Sequence, residues 1–338
     1  MPARRDRSCL AGGARAAGGR RPDRHTSFMR IADLAQREID RALRGQGLAF
    51  RCGPFHYRVR SAIESVGTGL ARLYADHGLI GDEAFVDFDI EIARSRGIRR
   101  WVRPQARFLF DGHSPFEPLP AGHAFPLLEW GMNWCICSLS MEHLVLHASV
   151  VERGGKAAIL PAPPGSGKST LCAALIHRGW RLLSDELALI SLHDANLVPL
   201  CRPVSLKNES IALLRAFAPG AVFGEVTPDT NKGAVGHLKP PRAHVERSHE
   251  PVLPRWVVFP RYAAGAEPEM SPRPKAESML ELGRNAFNYG LLGRSGYEAL
   301  AEVVERSQCF RFTYSALDDA IASFERLAEE QDECALTC

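Results

Sequence analysis

The sequence predicts an α/β fold in which a mixed sheet with flanking helices follows a smaller α+β unit. Two observations indicate this order. Alternating strand patterns and helical stretches come before a Pro/Gly-rich break at residues 114–126. After the break, a pair of strands leads into a glycine-rich turn, which a short helix and a further strand follow. The chain has 338 residues, which is long enough for both units.

Residues 29–120 are expected to form the smaller α+β unit. One helix is predicted to begin at Met29, in MRIADLAQREIDRAL, and another lies in AIESVGTGLARLYADH. Strands are predicted in LAFRCGPFHYRVRS, AFVDFDIEIARS and RRWVRPQARFLFDG, where apolar residues alternate with polar ones. Residues 1–28 are rich in Gly, Ala and Arg and lack apolar periodicity. We predict that they are a disordered basic extension and that Met29 is the working start.

Residues 121–330 are expected to form the larger unit, and residues 331–338 a tail. LLEWGMNWCICSLSM predicts a largely buried helix, and the stretch HLVLHASVVERGGKAAILPAPP predicts two strands around the turn at residues 153–155. A helix is expected over residues 169–177. WRLLSDELALISL and RWVVFPRY predict strands, whereas LELGRNAFNYGLLG and LDDAIASFERLAEEQ predict helices.

Composition and charge exclude several classes of protein. Hydrophobic residues make up 45% of the chain and charged residues 24%, which is typical of a globular protein. No run of about 18 apolar residues is present, so we expect neither a membrane span nor a membrane partner. Residues 1–28 carry seven arginines and two aspartates, which is a net charge of +5. The whole chain has a net charge of +3, so the remaining residues carry a net charge of −2. The part of the chain after residue 28 is therefore not expected to bind nucleic acid.

The nine cysteines are odd in number and scattered along the chain. Cys135 and Cys137 form a C-x-C pattern inside the apolar run WCICSL, which we interpret as small buried thiols rather than a metal site. This usage indicates a reducing compartment and a cytoplasmic protein.

A phosphate-binding loop is the first candidate for chemistry. Residues 162–169 read APPGSGKS, close to the pattern G-x-x-x-x-G-K-[ST], although Ala162 stands where the first glycine is expected. The two glycines allow backbone N–H groups to converge on an anion, Lys168 can reach the β- and γ-phosphates, and the Ser169 hydroxyl suits Mg²⁺. We predict that ATP contacts Pro164, Gly165, Ser166, Gly167, Lys168, Ser169 and Thr170.

Two adjacent carboxylates, Asp185 and Glu186, follow the loop after a single helix. A helix of about 10 residues, rising about 1.5 Å per residue, brings the chain back beside the loop. One carboxylate can then hold Mg²⁺ while the other accepts a proton from an attacking hydroxyl, as phosphoryl transfer requires. The alternative interpretation is a solvated acidic turn.

Several other polar residues are weaker candidates. His143 and His147 lie four apart on a predicted strand, where a single histidine is more often structural. Cations that can steady phosphate charge are Arg202, Lys207, Lys232 and Lys239. Arg202 is favoured because it follows a strand that should neighbour the site.

The segments LHASVV, GSGKST and RGWRLLSDELALI resemble, in order and spacing, the C-terminal catalytic domain of the bacterial HPr kinase/phosphorylase. RPVSLKN, NKG, LKPP, FNY and LDDAI are similar to the HPr-kinase-related kinases, which are often encoded beside small peptide-binding proteins of the PqqD type. The resemblance covers about residues 140–325. The part before residue 120 does not resemble the N-terminal domain of the HPr enzyme.

The resemblance implies a P-loop kinase domain of the HPr kinase type and a set of residue roles. Asp185 would be the general base that takes a proton from a serine hydroxyl, with His147 beside it. Ser169 and Glu186 would bind Mg²⁺. Glu186 replaces the second aspartate usual in the HPr enzyme, so the reverse phosphorolysis is not expected to carry over. The hexamer of that enzyme makes self-association an expectation.

The leading hypothesis is an ATP- and Mg²⁺-dependent kinase. It would transfer the γ-phosphate to a hydroxyl group of a peptide, a small protein or a small molecule, and a serine hydroxyl is the first candidate. A PqqD-like protein would be a further partner. Lys168 and the loop amides would stabilise the developing charge, and Arg202 would assist. The alternative is a nucleotide-gated ATPase switch that binds a peptide or partner without phosphorylating it. A carboxykinase-like enzyme fits the motifs less well.

Overall fold

A computed structural model describes residues 29–336, apart from residues 82 and 164. The predicted disordered extension over residues 1–28 and the predicted nucleotide contact at Pro164 lie outside the described residues. The described chain forms two large sheets and a small one, with helices packed on their faces. This is a mixed α/β fold, which confirms the predicted fold class at that level.

The elements are numbered in chain order. The helices are α1 (Gln36–Arg44), α2 (Glu64–Leu73), α3 (Ala124–Leu139), α4 (Lys168–Ile176), α5 (Glu209–Phe217), α6 (Arg242–Glu246), α7 (Lys275–Arg284), α8 (Tyr289–Arg306) and α9 (Leu317–Leu336). The strands are β1 (Leu48–Cys52), β2 (Phe55–Ser61), β3 (Phe88–Arg94), β4 (Gln105–Phe110), β5 (Leu119–Pro120), β6 (His143–Arg153), β7 (Lys156–Pro161), β8 (Arg181–Ser184), β9 (Leu187–Ser191), β10 (Leu197–Val198), β11 (Val204–Lys207), β12 (Thr227–Thr230), β13 (Gly233–Leu238), β14 (Leu253–Tyr262), β15 (Glu269–Pro272) and β16 (Gln308–Tyr314).

The first sheet has the order β1-β2-β3-β4-β5. Strand β2 alternates between buried and half-buried residues along its whole length, because successive side chains of a strand point to opposite faces. Strands β1 and β2 are antiparallel around a tight turn at Gly53, whose φ is +59°. A Cβ on Gly53 would lie 2.5 Å from the Pro199 carbonyl oxygen, so this turn contacts the second half of the chain closely.

Helix α3 packs in the core of the first sheet. Leu128, Met132 and Ile136 of α3 belong to the same buried cluster as Phe50 of β1. The helix approaches β4 so closely that a Cβ on Gly131 would lie 1.8 Å from the Phe108 ring. The predicted domain boundary near residue 120 stays a prediction. Helix α3 follows this boundary, but it shares a hydrophobic core with the first sheet, which precedes the boundary.

The second sheet has the order β10-β9-β6-β7-β14-β16-β15, and β8 also pairs with β6. Strand β6 is antiparallel to β7, β8 and β9, whereas β14 is parallel to both β7 and β16, so the sheet is mixed. Helices α4 and α9 pack in the hydrophobic core on one face, and α7 and α8 pack on the other. The small sheet, β11-β13-β12, lies beside α4 and α5.

Three predicted elements differ from those observed. The opening helix begins at Gln36 rather than at Met29, after a 3-10 turn at Ile31–Asp33. The stretch WRLLSDELALISL forms two strands, β8 and β9, instead of one. The strand breaks after Ser184 because the Ser184 hydroxyl donates to the backbone carbonyl of Leu187 over 2.6 Å, so that this carbonyl is bonded by a side chain. Helix α9 continues through most of the segment that was predicted as a tail.

No helix in the described part of the chain is long and apolar enough to cross a membrane.

Candidate active site

The glycine loop joins β7 to α4, which is the strand–loop–helix context that the motif needs. Gly165 and Gly167 have φ values of +88° and +87°, a conformation that side chains other than that of glycine rarely adopt. A Cβ on Gly167 would also lie 2.6 Å from the Tyr314 hydroxyl, which donates to the Gly167 carbonyl over 3.2 Å. The loop conformation therefore depends on glycine and is held by β16.

One hydroxyl of the loop is left unsatisfied. Ser166 Oγ is buried and has no hydrogen-bond partner among the described residues. The Ser166 carbonyl, in contrast, accepts the backbone N–H of Tyr262 over 3.1 Å. A buried polar group without a partner costs free energy, and an anion held at the N-terminus of α4 would supply one.

The structure brings Lys168 and Asp185 together. Lys168 is the first residue of α4, and its Nζ donates to the Asp185 carbonyl over 3.0 Å. The Ser149 hydroxyl, from the middle of β6, lies 2.7 Å from both the carbonyl oxygen and Oδ1 of Asp185. The Ser205 backbone N–H donates to Asp185 Oδ2 over 3.1 Å. Asp185 is only 4% exposed, so its carboxylate is an anchored group in which both oxygens accept hydrogen bonds.

Glu186 faces a different environment from that of Asp185. Asn133 of α3 donates from Nδ2 to Glu186 Oε2 over 2.8 Å. Burial raises the pKa of the Glu186 carboxyl, but nearby cations outweigh burial and the net pKa lies below its ordinary value. These cations include Lys168, Lys207 and Lys232. Glu186 is therefore ionised at neutral pH and suits a cation.

His147 lies on β6 opposite Leu187, the first residue of β9, which directly follows Glu186. Its ring centroid is 5.9 Å from that of Phe287, and its backbone N–H donates to the Asn285 carbonyl over 2.8 Å. Burial, and then the charge of Lys168, lower the pKa of His147 to about 4. His147 is thus a neutral imidazole beside the carboxylates at pH 7.

Arg202 is placed differently from its predicted position against phosphate. Its guanidinium donates to the Tyr74 hydroxyl over 3.3 Å, and to the backbone carbonyl and Oε2 of Glu129 over 3.0 and 2.6 Å. It also donates to Asn133 Oδ1. Arg202 is 7% exposed, and these partners lie on α3 and at the end of α2. These contacts give Arg202 a role in supporting α3, and its predicted role at a phosphate stays a prediction.

The other cations divide between the site and the fold. Lys232 Nζ lies 5.4 Å from the Trp130 ring centroid, at the edge of the cavity that Asp185 and Glu186 line. Lys239 instead forms an ion pair with Asp76 over 2.6 Å, so it joins the two halves of the chain.

Several site residues were missed in the sequence. Ser149 and Ser205 stand in no recognisable sequence pattern, because the fold alone brings each of them to Asp185. Glu129 and Asn133 do give a signal, since they are two polar residues four apart, and hence on one face, in a helix whose other residues are mostly apolar.

The described residues contain no group of three or more His, Cys, Asp and Glu side chains that could hold a metal ion. The oxygen donors near the loop are instead two carboxylates and the hydroxyl of Ser169, which follows Lys168 on α4. A hydroxyl, a carboxylate and phosphate oxygens form the hard donor set that Mg²⁺ prefers, with water filling the rest of its shell.

We expect the stability of the fold to fall as the pH drops from about 6.5 to about 4. Burial lowers the pKa of His77, His147 and His244 from 6.5 to about 4, so in this window the unfolded chain takes up protons that the folded chain does not. Urea midpoints at pH 7, 6 and 5 measure the effect. His77→Phe should show a shallower decline than the unaltered protein, and a midpoint that rises toward pH 5 would contradict the expectation.

Comparison with known proteins gives likenesses among solved structures and no family. No protein-family model matches the chain, and no curated protein matches it. Among solved structures, the HPr(Ser) kinase/phosphatase from Coxiella burnetii matches with 13% identity over 55% of this chain and 98% of that chain. The TM-score is 0.25, so this likeness carries no argument about function.

Proposed function

We propose that the chain is an ATP- and Mg²⁺-dependent kinase of the HPr kinase type, which transfers the γ-phosphate to a hydroxyl group. One observation carries the proposal: the Lys168 ammonium, at the N-terminus of α4 after a glycine loop, donates to the backbone carbonyl of Asp185, which brings the Asp185 and Glu186 carboxylates to the loop. Phosphoryl transfer needs positioned positive charge at the phosphates and a carboxylate near the acceptor, and little covalent chemistry from the protein.

The residues present fit ATP and Mg²⁺. The unsatisfied Ser166 hydroxyl, the open backbone at Gly165 and the N-terminus of α4 suit phosphate oxygens. Ser169 and Glu186 would hold Mg²⁺. When bound, Mg²⁺ neutralises charge that develops on the phosphate oxygens.

The chain's own residues divide the remaining tasks. Lys168 supplies positive charge where the phosphates would lie, and it is held there by the Asp185 carbonyl. Asp185 fits two tasks through different atoms: its carboxylate, held by Ser149 and Ser205, suits the predicted task of taking the acceptor proton, and its backbone carbonyl anchors Lys168. His147 is neutral at pH 7, so it adds no positive charge beside Glu186.

The proposed acceptor is a hydroxyl of a peptide, a small protein or a small molecule, and a PqqD-like protein is the proposed additional partner. A cytoplasmic location, which the cysteine usage indicates, and self-association, which the sequence resemblance implies, also belong to the proposal. The net charge of −2 outside residues 1–28 supports a partner other than nucleic acid.

A label-transfer experiment tests the function. The full chain is incubated with γ-labelled ATP, Mg²⁺ and size-fractionated extract of its host cell, and a parallel reaction contains EDTA in place of Mg²⁺. We expect label in a peptide, protein or small-molecule fraction, and none with EDTA. Label that appears solely as free phosphate would refute the kinase and favour the nucleotide-gated switch.

A further inference from the structure

A buried chain of hydrogen bonds runs from the helices of the first sheet to Glu186. The Tyr74 hydroxyl donates to Glu129 Oε1 over 2.7 Å. Glu129 Oε2 accepts from Arg202, Arg202 donates to Asn133, and Asn133 donates to Glu186. The chain therefore connects the end of α2, through α3, to the carboxylate that the proposed function gives to the metal.

The middle of this chain is fixed in position. The side chains of Glu129 and Arg202 are 6% and 8% exposed, and the ion pair between them measures 2.6 Å. Removing one partner of a buried pair is strongly destabilising, because the remaining charge is left uncompensated. Arg202 consequently has little freedom to leave Glu129.

Arg202 in turn fixes the direction of the Asn133 amide. Arginine has donors and no acceptor, so Asn133 must turn Oδ1 toward Arg202. The opposite end of the amide, Nδ2, then points to Glu186 and can only donate. An aspartate at position 133 would place a second carboxylate against Glu186, whereas asparagine satisfies both neighbours.

We propose that Asn133 is a positioning residue that orients Glu186 for a divalent cation. By holding Oε2, it leaves Oε1 as the oxygen that no described side chain hydrogen-bonds. The inference rests on the proposed function, because that function gives Glu186 to the metal. It also makes α3, which packs on the first sheet, a part of the site.

A double-mutant cycle tests the proposal through metal affinity rather than activity. Mn²⁺ binding is measured by electron paramagnetic resonance in the presence of a non-hydrolysable ATP analogue, for the unaltered protein, Asn133→Ala, Glu186→Gln and the double variant. We expect Asn133→Ala to weaken Mn²⁺ binding about tenfold, which is the usual effect of removing a group that orients a metal ligand. In the Glu186→Gln background, the same change should have no further effect.

Ser138→Ala, on the exposed side of the same helix, is the matched control and should bind Mn²⁺ like the unaltered protein. Equal losses from Asn133→Ala in both backgrounds would overturn the proposal, since the residue would then act through the fold and not through Glu186. Unchanged Mn²⁺ affinity in Asn133→Ala would overturn it as well. An unaltered protein that binds neither the ATP analogue nor Mn²⁺ would instead refute the proposed function, and the inference with it.

Discussion

Replacing Lys168 by methionine is expected to lower the rate of phosphoryl transfer about 10²–10³-fold, the usual cost of removing one group that stabilises charge in the transition state. Methionine keeps most of the buried side-chain volume but has no ammonium to place at the phosphates. Nucleotide affinity should fall together with the rate, since the same charge attracts the bound phosphates. Steady-state rates and the binding of a fluorescent ATP analogue measure the two effects.

Lys275→Met is the matched control, because Lys275 is also the first residue of a helix, α7, but lies on the other face of the second sheet. It should transfer phosphate at the unaltered rate. If Lys168→Met matched this control in both rate and nucleotide affinity, Lys168 and the glycine loop would not belong to the phosphate site.

The two adjacent carboxylates are expected to fail in different ways when each is made neutral. Asp185→Asn removes the negative charge that the Ser149 hydroxyl and the Ser205 backbone N–H bond, while the amide can still accept from Ser205 and donate to the Ser149 hydroxyl. Exchanging hydrogen bonds to a charged group for neutral ones costs on the order of 1 kcal/mol of stability. The rate of transfer should fall about 10²–10⁴-fold as well, because the carboxylate is also the predicted base.

Glu186→Gln should keep its stability, because the glutamine carbonyl still accepts the Asn133 amide. It is expected to lose metal-dependent transfer without a change in melting temperature. Melting temperatures and transfer rates of both variants, measured side by side, distinguish the two roles. If Asp185→Asn kept both its melting temperature and its ATP affinity while losing transfer, the carboxylate would act as the base alone, and its bonds to Ser149 and Ser205 would add nothing to stability.

The sequence predicts most of the local structure around the site. Period-two alternation places β2 and β3, and the glycine loop lies between a buried strand and a helix, as its motif indicates. The carboxylates return beside Lys168 because the single intervening helix is short. All of these features depend on residues close together in the chain. The predictions for β8, β9 and the first helix were less accurate, because single side-chain hydrogen bonds decide where an element breaks.

Tertiary structure alone decides what surrounds those local features. Asn133 and Glu186 are 53 residues apart, and Glu129 and Arg202 are 73 apart, so no local pattern pairs them. Arg202 lies just before β11, and packing turns its guanidinium toward α3. The physical reason is that periodicity reports which face of an element is buried, whereas the partner of a buried charge is fixed only when distant elements pack together. The sequence by itself thus determined the loop, the paired carboxylates and the α/β order. Tertiary packing decided which groups hold them: β16 holds the loop, β6 and β11 hold Asp185, and α3 holds Glu186.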